Sequence, residues 1–186
     1  MKKLNVFLAL LFATTLFSCN SSEAKEEKNE KSENIEAVGQ SGVQDDASQK
    51  NVVQVAISSK DHSTLVTAIK AGELVDALSN AGPFTVFAPT NEAFNKLPAG
   101  TVEGLLKPAS KESLVDILQY HVSVGVYKAE ALKDGQNIGQ VNGDNITITK
   151  KGTVLYVNGT AKIIASIPAS NGIIHVIDGV LLPPKK

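Results

Sequence analysis

The sequence predicts an α+β domain, with helices gathered in its first half and a mainly antiparallel sheet in its second. Three observations point there. Apolar residues between Val52 and His121 recur at helical spacing. From Asn145 onward, short runs rich in β-branched residues take over. These runs are parted by Asn142-Gly143, Lys151-Gly152 and Asn158-Gly159. The two Asn-Gly pairs are strong hairpin signals, because both residues tolerate positive φ.

Each element has its own signal. Val52, Val53, Ala56 and Ile57 form an i, i+1, i+4, i+5 stripe. Ser63 suits the cap of a helix carrying Leu65, Val66 and Ile69, which Ala71-Gly72 interrupts. Leu74, Val75 and Leu78 continue on a short helix ending at Asn80-Ala81-Gly82-Pro83. Phe84 to Ala88 is a β-rich run stopped by Pro89. Thr90 can cap a helix that reaches Leu97 before Pro98 ends it, and Thr101 another from Val102 to Lys107. Ser110 opens a longer helix with Leu114, Ile117, Leu118 and His121 on one face. The strands follow: Ile146 to Thr149, Val154 to Val157, Ala161 to Ile167, and Ile173 to Ile177. The last is apolar on both faces except for His175, as in a central strand.

A targeting segment precedes the domain. Met1-Lys2-Lys3 is a short positive region, and Leu4 to Phe17 is an apolar run of the length of a signal-peptide core. Leu16-Phe17-Ser18-Cys19 resembles a bacterial lipobox, and Cys19 is the only cysteine in the chain. Residues 1–18 therefore read as a signal peptide and Cys19 as the lipidation site that anchors the chain to a membrane. Residues 19–50 read as a charged, disordered tether holding eight acids and four lysines. As a flexible coil it would average roughly 30 Å end to end. Residues 51–184 form the folded domain.

Composition excludes several functions. The chain has 186 residues, which is the size of one domain with a tail. One cysteine excludes a disulfide framework and a Cys-rich metal site. A net charge of −1 argues against a nucleic-acid partner. All 18 basic residues are lysines, so no guanidinium is available to clamp a phosphate. Tryptophan is absent. The histidines are His62, His121 and His175, and no pair has H-E-x-x-H spacing. No G-x-S-x-G elbow, phosphate-binding loop or dinucleotide fingerprint occurs. The odd spacing of His175 and Asp178 puts them on opposite faces of a strand. No catalysis, metal or cofactor is expected.

Two long segments carry a resemblance. Phe84-Thr85-Val86-Phe87-Ala88-Pro89-Thr90-Asn91-Glu92-Ala93-Phe94 resembles the first signature of the fasciclin (FAS1) domain family. Asn171-Gly172-Ile173-Ile174-His175-Val176-Ile177-Asp178-Gly179-Val180-Leu181-Leu182-Pro183 resembles the second. Tyr120-His121 stands where the family has its central Tyr-His pair. The resemblance implies a wedge-shaped β-sandwich of about seven strands flanked by helices. It also implies a non-catalytic module for cell-surface adhesion, in the cell envelope or outside it.

Most motif residues have a structural reading. Phe84, Phe87 and Phe94 supply packing, Pro89 ends a strand, and Thr90 caps a helix. Asn171-Gly172 turns into a buried strand, and Leu181-Leu182 covers the core. His121 is expected to be buried, with Thr90 or Asn91 as its hydrogen-bond partner. Tyr120, His121, Asn171, Gly172 and His175 are the candidate interaction residues, and contact through the Tyr-His region would need Tyr120 exposed. The family's adhesive sequences place an aspartate where this chain has Ser166, within Ala165-Ser166-Ile167-Pro168. An acidic ligand for a receptor-bound metal is missing, so an integrin-type receptor is not expected. The expected partner is a surface protein or polysaccharide, met by a lipid-anchored domain that is surface-exposed or periplasmic, most naturally at the outer membrane. The alternative implied by the resemblance is a periplasmic lipoprotein that binds a small apolar, carotenoid-like ligand.

Overall fold

The computed structural model describes residues 49–184. The expected signal peptide, Cys19 and the tether up to Ser48 lie outside these residues. Among the described residues there are six α-helices and seven strands: α1 (Val52–Ser58), α2 (Ser63–Ala71), α3 (Val75–Ser79), β1 (Phe84–Pro89), α4 (Asn91–Asn95), α5 (Thr101–Leu105), α6 (Lys111–Tyr120), β2 (Val122–Val124), β3 (Asn137–Gly139), β4 (Asn145–Lys151), β5 (Val154–Val157), β6 (Ala161–Ala169) and β7 (Gly172–Ile177).

The strands form one sheet in the order β2-β1-β7-β6-β5-β4-β3. Every pairing is antiparallel except β1 with β7, which run parallel over six residues from Phe84↔Gly172 to Pro89↔Ile177. The two end strands of that order meet. Val141 N–H donates to Val122 O at 2.8 Å, and Ser123 Oγ donates to Gln140 Oε1 at 3.0 Å. The sheet therefore curls toward a barrel and hides its edges, which is one way a β-protein protects unpaired strand groups.

Two cores follow from the alternation of β1 and β7. Val86, Ala88, Ile174 and Val176 face the helices and join Val53, Leu65, Ile69, Leu114 and Leu118. Phe87 and Ile177 face the other way and join Ile138, Ile146, Ile148 and Val157 inside the curled sheet. Strand β7 is thus buried on both faces, as its apolar sequence predicts. Strand β4 alternates as expected, with Ile146 and Ile148 fully buried between the exposed Asn145 and Thr147 and the half-buried Thr149.

Local chemistry explains most boundaries. Asn51 makes a capping box with Gln54 at the start of α1. Thr90 Oγ1 accepts from Ala93 N and starts α4. All three hairpin turns form, with Gly143, Gly152 and Gly159 at positive φ and Asn158 at φ 52°.

Four expectations need correction. Ser63 is the first residue of α2 rather than its cap. The α2 N-terminus is capped from a distance by Asn91, whose Oδ1 accepts from Thr64 N at 3.0 Å. Helix α5 begins at Thr101 itself, after Gly100 at φ 83°. Ile57 is 42% exposed, because α1 needs only Val52, Val53 and Ala56 to cover its neighbours. Only Leu181 of the Leu181-Leu182 pair is buried; Leu182 is 53% exposed.

Gly172 stands at one of the two tightest backbone approaches. A Cβ there would collide with the Phe84 carbonyl, and one at Gly82 with the Asn171 carbonyl. Gly172→Ala is therefore expected to cost about 3 kcal/mol in urea unfolding. Gly104→Ala, in a helix and with open space around its Cβ, is expected to be neutral or slightly stabilising.

Candidate functional site

The signature residues converge on the β1–β7 pair and on the end of α6. Three side chains organise this region: the half-buried Asn171 and the buried His175 and His121.

Asn171 stands just before β7 and joins three segments. Its Nδ2 donates to Leu78 O and Asn80 O, each at 2.8 Å, and its Oδ1 accepts from Val52 N at 2.9 Å. One side chain thus fixes the start of α1, the end of α3 and the entry to β7. An amide suits this role because it both donates and accepts.

His175 is fully buried and tilts against Phe87, with ring centroids 5.5 Å apart. Its Nε2 lies 2.7 Å from Tyr127 O, and a carbonyl can only accept. The proton is therefore on Nε2, and Nδ1 accepts from the Ser166 hydroxyl at 2.8 Å. Burial pushes its pKa down, against the pull of the Tyr127 hydrogen bond and the nearby Glu130 charge. The loop after β2 is held a second time by Thr85. Its hydroxyl donates to Gly125 O and accepts from Tyr127 N. The Ser166 hydroxyl is committed to His175. Asp178 lies apart, accepting from Lys162 N at 2.7 Å.

His121 is buried, as expected, but its predicted partners are wrong. Nδ1 donates to Ile117 O at 2.7 Å, and Nε2 accepts from Leu181 N at 3.0 Å. Thr90 is occupied by its own helix, and Asn91 by Lys60 O, Ser63 Oγ and Thr64 N. The histidine therefore ties α6 to the C-terminal segment, not to the first signature. Burial lowers its pKa to about 4, opposed by the Ile117 hydrogen bond.

Tyr120 corrects the expectation that it offers a contact surface. It is 2% exposed. Its hydroxyl donates to Asn145 O and accepts from Asn158 Nδ2, so it pins β4 and the β5–β6 turn from inside. Phe87 and Pro89 are also fully buried, while Phe84 and Phe94 pack at the margin of the helical core. Sequence reasoning did not single out Tyr127 or Thr85 as partners of this site. The signal for Thr85 was a polar residue inside an apolar strand.

A cleft beside His121 is walled by Leu65, Phe94, Leu105, Leu114 and Leu118 among others. It encloses about 30 Å³, room for roughly one water. Among the described residues no cluster of three or more His, Cys, Asp or Glu could hold a metal ion.

A curled seven-stranded sheet, built around a parallel pair of signature strands and backed by helices, defines a fasciclin-type fold. The family model for the fasciclin domain matches residues 60–183, and the chain belongs to that family. Protein sll1483 of Synechocystis sp. is 50% identical over 137 residues, covering 74% of this chain and 76% of that protein. Immunogenic protein MPB70 of Mycobacterium bovis is 37% identical over 139 residues, covering 71% and 69%. Among solved structures, a fasciclin domain pair from the insect cell adhesion molecule Fasciclin I matches with a TM-score of 0.57 at 20% identity. That match covers 72% of this chain and 51% of the other, so this chain spans about half its length. At such identity the likeness speaks for the fold alone.

The histidine geometry gives a pH prediction. The folded-state pKa of His121 is about 4, below its ordinary 6.5, so the unfolded chain takes up the proton first. Stability is full above about pH 6.5 and falls as pH drops toward 4. The loss from His121 alone is about 3 kcal/mol. Urea titrations of the wild type and His121→Gln from pH 7 to 4 should show a shallower pH slope in the variant.

Proposed function

We propose that the chain is a non-catalytic interaction module, carried on a lipid anchor and a flexible tether, that adheres to a protein or polysaccharide of the cell surface or envelope. The observation that carries this reading is the use of the signature side chains. Asn171, His175, Ser166, His121 and Tyr120 all spend their hydrogen bonds on the domain's own backbone and side chains. Such a centre builds a rigid scaffold, and recognition then falls to its surface. Membership in the fasciclin family supports the interaction role. The lipobox-like Leu16-Phe17-Ser18-Cys19 and the charged run after it support the anchor and the tether. Many anchored copies acting together would raise a weak affinity per domain.

The apolar-ligand alternative is the weaker one. A carotenoid-sized molecule is far larger than the cleft beside His121, so binding there would require the helices to part.

Two measurements test the reading. Cys19→Ala is expected to move the chain from the membrane to the soluble fraction, and an unchanged distribution would remove the anchor. Beads coated with the purified chain are expected to be retained on envelope preparations more strongly than beads coated with a heat-denatured control. Equal retention would remove the adhesion reading.

A further inference from the structure

The helices cover the sheet at β1, β7 and the end of β6, where Ile167 and Ala169 pack against the helical core, and the outward residues of β3–β5 and of the start of β6 lie away from that core. Strand register and burial fix which residues point outward. Ile138, Ile146, Ile148, Val157 and Ala161 are inside. Their neighbours, in the rows Asn137–Thr147 and Thr149–Tyr156–Lys162, together with Lys151, are outside. No aspartate or glutamate occupies an outward position on the paired parts of these strands.

The face has a definite chemistry. Tyr156 is half-buried at its centre, and the Lys151 ammonium lies 4.8 Å from its ring centroid. Lys162 stands directly across from Tyr156 on the next strand. Among the described residues the ion pair found is Lys111 with Glu73, so neither Lys151 nor Lys162 has a carboxylate partner. The carboxylates at the margins are engaged: Asp134 accepts from Lys150 N, and Asp178 from Lys162 N, each at 2.7 Å. Beside the lysines runs a row of short polar side chains, with Thr147 Oγ1 donating to Asn137 Oδ1 at 2.8 Å.

We infer that this face binds an acidic polysaccharide. Two ammonium groups without carboxylate partners, Lys151 over the Tyr156 ring and Lys162 on the strand across from it, match a chain of sugar rings bearing carboxylates. The Lys151 ammonium, held over the Tyr156 ring, meets a sugar carboxylate, and Thr147 Oγ1, whose proton goes to Asn137 Oδ1, accepts from a sugar hydroxyl. A neutral glycan would leave the lysines unmatched. The inference deepens the interaction-module reading and rests on it.

The test uses the full chain with polygalacturonate as the probe, and neutral dextran and duplex DNA as comparisons, followed by calorimetry. Polygalacturonate should bind, with dextran and DNA much weaker. Lys151→Gln/Lys162→Gln should weaken binding about ten-fold, and Tyr156→Ala by a similar factor. Melting temperature should fall by no more than a few degrees in the lysine variant, whose side chains are exposed. Three results would overturn the inference: no polygalacturonate binding, binding that these substitutions leave intact, or DNA bound equally well. Retention of coated beads by the lysine variant at the wild-type level would also remove this face, while leaving the adhesion reading in place. Loss of retention by the wild type itself would remove the adhesion reading instead.

Discussion

The parallel pairing of β1 with β7 is the constraint on which the rest of the domain depends. Two segments more than eighty residues apart meet in register, and nothing local holds them together. The approach is so close at Phe84 and Gly172 that only glycine fits. Asn171 then fastens the start of that strand to α1 and α3. With this pair in place the helices have a surface to cover on one side, and β2 and β6 have edges to join on either flank. Without it the two cores have no common wall.

The buried polar groups make the pairing specific rather than merely stable. His175 sits at the middle of β7 and is satisfied at both nitrogens, by Ser166 on the neighbouring strand and by Tyr127 on a loop. A slip of one residue would turn it toward the helices and leave both partners unmatched. His121 and Tyr120 do similar work where α6 ends, one holding the C-terminal segment and the other holding β4 and β5. Burying a polar group is costly unless each hydrogen bond is made, so these contacts select one arrangement from many.

How much of this was legible in the sequence depended on range. Turns at Asn142-Gly143 and Asn158-Gly159 were readable because positive φ is a local demand. The alternation of β4 was readable because inside and outside differ every second residue. The burial of His121 followed from its place on the Leu114–Leu118 stripe. Its partner did not, because the Leu181 N–H is sixty residues away and a stripe carries no information about it. The same reason hid the α2 cap: Asn91 reaches Thr64 from another helix, while Ser63 looked adequate locally. Tyr120 was misread for a different reason. At a helix end a tyrosine can face either way, and the backbone turn that sends it inside the sheet is set by β2 pairing with β1. The outer face of β3–β6 was invisible as a surface until the register aligned Thr149, Tyr156 and Lys162.

The account makes β1 and β7 the last elements to open. Native-state hydrogen exchange of the backbone amides measures this directly. The amides of Val86, Ala88, Ile174 and Val176 are predicted to exchange only through global unfolding, with protection equal to the full stability of the domain. The amides of β4 and β5 should open earlier, through smaller fluctuations of the hairpins. Faster exchange in β1 and β7 than in β4 and β5 would contradict the claim that the signature pair is the structural centre.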